Sequence, residues 1–160
     1  MYQVIKEIHF SYGHRLVGHA GKCRHVHGHN GRVQIEVAAD KLDKLNMVVD
    51  FSEISRTIGK WIDENLDHVL ILWEQDPLVI ILKEKKEKIL VVPENPTAEF
   101  LARWIFEEAR KMKLPVSKLL SGKQTTAAHL FKVKSLNYGP KLFNSSITFN
   151  LWPMVFSFNL

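Results

Sequence analysis

Only one cysteine, Cys23, occurs in the chain. An internal disulfide is therefore excluded, and so is a closed structural zinc site built on several thiolates. No uninterrupted apolar run approaches the roughly 20 residues that span a bilayer as a helix, so no membrane partner is expected. The glycine-containing stretches near residues 18–31 match neither dinucleotide nor phosphate-loop spacing, which argues against a nucleotide cradle. Internal repeats are lacking. Met1-Tyr2-Gln3-Val4 opens directly in a strand-like pattern without a signal peptide, and a lone thiol in such a chain points to a cytoplasmic location. Acidic residues are missing beyond Glu108, while the stretch from Leu120 onward carries Lys123, Lys132, Lys134 and Lys141. The formal charge of +5 thus belongs largely to the C-terminal part. A nucleic-acid face would cluster Arg and Lys on one element, so no nucleic-acid partner is expected.

What is present suffices for one domain. The 160 residues are 46% hydrophobic and 24% charged, the balance of a globular protein with a real core. Residues 2–10 and 32–39 read as strands. In the second, Val33, Ile35 and Val37 alternate with Arg32, Gln34 and Glu36, the period of a half-buried strand. Leu45 to Phe51 is a third candidate strand, rich in β-branched residues. Asp50, three before Glu53, resembles a helix cap. Ile54, Ile58, Trp61 and Ile62 follow at helical spacing. Leu66 to Ile81 is mixed, and Leu82 to Lys88 reads as a charged, solvated turn. Ile89 to Val92 is a short strand. Asn95-Pro96-Thr97 starts a second helix with Thr97 as its cap. Phe100, Leu101, Trp104 and Ile105 line its buried face, and Pro115 closes it. The expected class is α+β, a mainly antiparallel sheet with two helices on one face.

Histidine is concentrated: six of the eight lie between His9 and His29. His27 and His29 are two apart, so in extended chain both imidazoles share one face. His14, in Phe10-Ser11-Tyr12-Gly13-His14-Arg15, is the natural third donor. Three imidazoles with an open position make a catalytic rather than a structural zinc site. His25 alternates in phase with His27 and His29, so spacing leaves the ligating pair open. Cys23, four residues before His27, is a candidate base, since a thiol beside a dication ionises readily. Asp67-His68 is a second polar pair, in which a carboxylate can set an imidazole's tautomer.

At these residues the chain resembles the family of 6-pyruvoyl-tetrahydropterin synthase and 6-carboxytetrahydropterin synthase. The shared motifs are Phe10-x-x-x-His14-Arg15, Cys23-x-x-x-His27-Gly28-His29, Val49-Asp50-Phe51, Leu66-Asp67-His68 and Asn95-Pro96-Thr97-x-Glu99. They run in the family's order over residues 2–119. The resemblance implies zinc on His14, His27 and His29, proton abstraction by Cys23, and a relay through Asp67 and His68. Three residues between Cys23 and His27 fit the carboxy branch, in the queuosine pathway. There 7,8-dihydroneopterin triphosphate gives 6-carboxytetrahydropterin with loss of acetaldehyde and triphosphate. The implied fold is the tunnelling fold, closed into a barrel by oligomerisation. A homo-hexamer, a dimer of trimers, is implied, with the site between subunits. The alternatives are a 6-pyruvoyl-tetrahydropterin synthase and an inactive zinc-binding remnant.

The resemblance breaks after the second helix. The family's last strand reads roughly Val-x-Glu-Thr, and its glutamate grips the pterin. Here the chain reads Leu119-Leu120-Ser121-Gly122-Lys123-Gln124-Thr125. Reading from the third base of the Leu120 codon permits Val-Trp-Glu-Thr from position 121. This points either to a frameshift near Leu119 or Leu120 or to a truly diverged C-terminal extension, with a synthase-like domain over 1–119 and an atypical segment over 120–160. Weak pterin binding, surviving zinc binding, an exposed sheet edge and impaired assembly would follow.

Overall fold

The first two strands form one long hairpin, β1 (Tyr2–His14) and β2 (His27–Ala39). Their antiparallel register runs unbroken from Tyr2 opposite Ala39 to His14 opposite His27. Both strands reach beyond the expected 2–10 and 32–39, because the histidine- and glycine-containing ends also pair. On β1 the even positions Phe10, Tyr12 and His14 turn inward. On β2 the odd positions Val33, Ile35 and Val37 do so. The computed structural model describes residues 1–123 and 130–134.

From β2 the chain crosses the inner face as a helical segment. It begins as α1 (Phe51–Ile54), passes through a π turn at Ser55–Gly59, and ends as α2 (Lys60–Asn65). This crossover lets β3 (Val69–Trp73) lie parallel to β1, as a parallel pairing requires. A short helix, α3 (Leu78–Glu84), then leads to β4 (Ile89–Val92), parallel to β3. The long helix α4 (Ala98–Lys111) follows, then β5 (Val116–Lys123) and β6 (Leu130–Lys134). The six strands form one sheet in the order β4-β3-β1-β2-β5-β6. Ile54, Ile58 and Ile62 from the crossover and Leu101 and Ile105 from α4 bury against Val33, Ile35, Ile71 and Leu119.

Several expectations need correction. The sheet is mainly antiparallel as expected, but its β1–β3 and β3–β4 pairings are parallel. Leu45 to Phe51 is not a strand. The Asp43 carboxylate accepts the Leu45 and Met47 N–H groups, and Asn46 takes a positive φ of 61°. This local turn outcompetes the β-branched preference of Val48 and Val49. Asp50 instead caps α1, accepting Ser52 N–H at 2.7 Å. There is also a further helix, α3, seated on Asp76, whose carboxylate accepts Leu78 N–H. It absorbs the first part of the charged run, which then turns at Lys86 with φ 59°. Beyond Leu120, the chain stays in β5: Leu120, Ser121, Gly122 and Lys123 pair with Gln34, Val33, Arg32 and Gly31. Residues 124–129 and 135–160, where most of the expected atypical segment falls, lie outside the described residues.

Candidate metal centre

The hairpin register brings the three imidazoles together. His14 stands directly opposite His27, while His29 lies two along β2 on the same face, opposite Tyr12. One nitrogen from each ring falls within 4.8 Å of the others, a set that can hold a metal ion. Ring centroids are 4.6 Å apart for His14–His27, 4.6 Å for His27–His29 and 5.0 Å for His14–His29.

The ring orientations have identifiable causes. His14 Nδ1 donates to the Pro96 carbonyl at 2.6 Å, and His27 Nδ1 donates to the His25 carbonyl at 2.7 Å. A carbonyl can only accept, so in each neutral ring the proton sits on Nδ1 and the lone pair on Nε2. The two Nε2 atoms face each other across 3.2 Å. Two nitrogens bound tetrahedrally to zinc at about 2.0–2.1 Å lie about 3.3 Å apart, so the donor set fits that ion. The role of His25 is thereby narrowed. Its backbone holds His27, while its ring accepts from Arg24 Nε at 3.1 Å.

Cys23 lies in the connection between β1 and β2, in a single 3-10 turn at Lys22–Arg24. Its carbonyl accepts Leu16 N–H at 2.8 Å, which folds this turn back to the β1 exit two residues beyond His14. The thiol is half-buried.

Asp67 and His68 sit elsewhere. Asp67 Oδ1 accepts Ser11 N–H at 2.6 Å, and Oδ2 accepts from His68 Nδ1 at 2.6 Å. His68 adopts φ 54°, with its own N–H bonded to Ser11 C=O at 2.6 Å. Burial alone would raise the Asp67 carboxyl, but the Ser11 N–H and the His68 ring outweigh it and hold it below its usual range. The His68 side chain is 79% exposed. It borders an open cleft of about 520 Å³, also lined by Ser11, Gly13, Gly28 and Asn30 and touched by Tyr12 and His29. Ser11, Gly13, Gly28 and Asn30 alternate away from the three imidazoles. Asp67 thus bonds the edge of β1, and His68 borders a cleft on the side of the sheet away from the three imidazole rings.

Sequence reasoning did not single out three contributors. The Pro96 and His25 carbonyls orient ligands, and no residue-type signal marks a backbone oxygen. Tyr12 is the third. Its ring lies 5.3 Å from His14 and 5.8 Å from His29, and burial pushes its phenol up to about 12, so it stays protonated. Its period-2 spacing from His14 was the available signal.

The family described as 6-pyruvoyl tetrahydropterin synthase matches residues 3–132. The 6-carboxy-5,6,7,8-tetrahydropterin synthase of Rickettsia felis is 43% identical over 110 residues, covering 68% of this chain and 80% of that protein. The enzyme of the same name from Haemophilus influenzae is 33% identical over 117 residues, 69% of this chain and 83% of its own. Among solved structures, an uncharacterised Wolinella succinogenes protein superposes with a TM-score of 0.71 at 26% identity, covering 84% of this chain and 98% of its own. The Caenorhabditis elegans 6-pyruvoyl tetrahydropterin synthase shares the fold, with a TM-score of 0.61 at 21% identity over 83% of this chain and 94% of its own. On these matches and on the residues that carry them, the chain belongs to the 6-pyruvoyl tetrahydropterin synthase family of lyase-type enzymes.

Proposed function

We propose that this chain is built for a zinc-dependent lyase reaction on 7,8-dihydroneopterin triphosphate. With one water consumed, the product is 6-carboxy-5,6,7,8-tetrahydropterin, with release of acetaldehyde and triphosphate, a step toward queuosine. The observation that carries the metal part is the pair of Nε2 lone pairs facing each other at 3.2 Å with both ring protons committed to carbonyls. The names of the relatives and the Cys23-to-His27 spacing support the carboxy product.

His14, His27 and His29 hold the ion. Zinc, when bound, supplies Lewis-acid polarisation of the substrate's side-chain hydroxyls. Cys23, as thiolate, removes a proton from the carbon next to the pterin ring. His68 relays protons, and Asp67 keeps its ring oriented. Because His68 is turned into the exposed cleft beside Ser11 and Asn30, the relay serves the metal centre of a neighbouring subunit, within a hexamer.

Pterin binding is the weak element of this chain. The shifted reading frame that the codons permit would place glutamate at position 123, which pairs with Gly31, two residues along β2 from His29. Lys123 stands there instead, a residue type that supplies no carboxylate for the guanidine-like pterin edge. The test supplies dihydroneopterin triphosphate to the zinc-loaded chain and to a frame-corrected version, with products read by mass spectrometry. The carboxy product from the corrected chain, and little from the present one, is expected. Full turnover by the present chain contradicts the glutamate requirement. A pyruvoyl product replaces the reaction with the alternative, and no product from either points to a zinc-binding remnant.

A further inference from the structure

The Asn95-Pro96-Thr97 turn does more than start α4. Its two ends reach different parts of the hairpin exit. Asn95 makes a two-way bond to one backbone unit: Val17 N–H donates to Oδ1 at 2.9 Å, and Nδ2 donates to Val17 C=O at 2.9 Å. The next residue, Pro96, is buried and offers its carbonyl to His14 Nδ1. Thr97 then turns the chain into the helix, its N–H bonded to Asn95 C=O at 2.7 Å and its Oγ1 accepting Phe100 N–H at 3.2 Å. The Asn95 bonds thus span 78 positions and fall three residues from His14, the ring that the adjacent carbonyl orients.

Resting on the zinc reading above, we propose that Asn95 is a positioning residue for the metal ligand His14. Its carboxamide pins the α4 entrance to the β1 exit, so that the Pro96 carbonyl holds the His14 proton on Nδ1 and keeps Nε2 as the ligating atom. The chemistry of the side chain explains the residue type. Only an amide presents a donor and an acceptor together to a peptide N–H and C=O. Aspartate can accept from Val17 N–H but repels Val17 C=O. An imidazole with an unrestrained Nδ1 divides between tautomers and ring orientations, and loss of such outer partners weakens metal binding.

The experiment uses the full chain and zinc, with affinity measured by chelator competition and the His14 Nδ1–H resonance followed by NMR in the metal-free protein. Asn95→Ala is expected to weaken zinc about tenfold, toward the low end for an outer-shell partner, and to broaden or abolish the Nδ1–H resonance. Asn95→Asp falls between it and the parent, and carries the comparison if Asn95→Ala does not fold. Thr97→Ala, which removes only the helix cap, lowers the melting temperature and leaves zinc affinity unchanged. Parent-like zinc affinity and an intact resonance in Asn95→Ala overturn the positioning role while leaving the metal centre standing. A parent that binds zinc no better than His27→Ala overturns the metal centre and this role with it.

Discussion

At the scale of single residues, the strongest constraint beside the metal centre is the pair Arg15–Asp76. Arg15 follows His14, and its guanidinium donates through Nε and a terminal nitrogen to both Asp76 oxygens. The Asp76 side chain is fully buried. Burial would raise its carboxyl, but Arg15 and the Leu78 N–H outweigh that and hold it below its usual value. Asp76→Ala strands a partly buried cation and unseats α3, and should cost about 3 kcal/mol of stability, measured by urea denaturation. The sign of the pH dependence follows from the lowered carboxyl. Its stabilisation is complete above the unfolded value of 3.8 and is lost as the pH falls through the lower folded value. The gap in denaturation midpoint between parent and variant should therefore be constant near neutrality and close in acid. A gap that widens below pH 4 would contradict this assignment.

At the scale of elements, the hairpin is the device that builds the site, and one glycine makes its packing possible. Gly31 pairs with Phe10, and a Cβ there would meet the Phe10 ring at 2.7 Å. Phe10 in turn stacks on Tyr12 at 5.3 Å, and Tyr12 packs against His14. Gly31→Ala should overpack this stack and lower stability by about 1–3 kcal/mol, with a parallel fall in zinc affinity as the displaced rings press on His14. Unchanged stability in thermal melts would show that the stack yields freely. Much of this element was legible in advance. The alternation of Val33, Ile35 and Val37 marked the inward face, and the spacing of His27 and His29 placed them together. The extension of pairing through Gly28 and Gly31 was not legible, because glycine carries no hydropathy signal. Helix α3 was missed for a related reason: its stability comes from the distant Arg15–Asp76 pair rather than from its own short sequence.

At the scale of the whole molecule, the exposed position of His68 sets the main prediction. In the frame-corrected chain, Cys23→Ala and His68→Ala should each be inactive alone. Mixed and co-refolded, they should recover part of the activity, because one mixed interface then carries an intact Cys23 and an intact His68. No recovery, in an assembly shown by ultracentrifugation to contain both variants, would place the relay within one chain. The open edge favours association as well. Among the described residues β1 pairs with β3 only over Tyr12–His14, so there most of its length presents one unpaired side. The described part of β5 shows that the chain keeps its place in the sheet past Leu120. Leu119 and Ser121 continue the inward alternation.

The order of residues by itself determined the ligand types, their spacing, the α+β class and the family. Imidazoles two apart on a strand must share a face, and motifs in fixed order identify relatives without coordinates. Tertiary structure alone decided that His27 and His29, rather than a pair including His25, cluster with His14, that two backbone carbonyls set the His14 and His27 tautomers, and that His68 borders an exposed cleft. Those outcomes depend on strand register and on contacts between residues some 80 positions apart. Such contacts arise only when burial of the sheet's inner face selects one pairing from many.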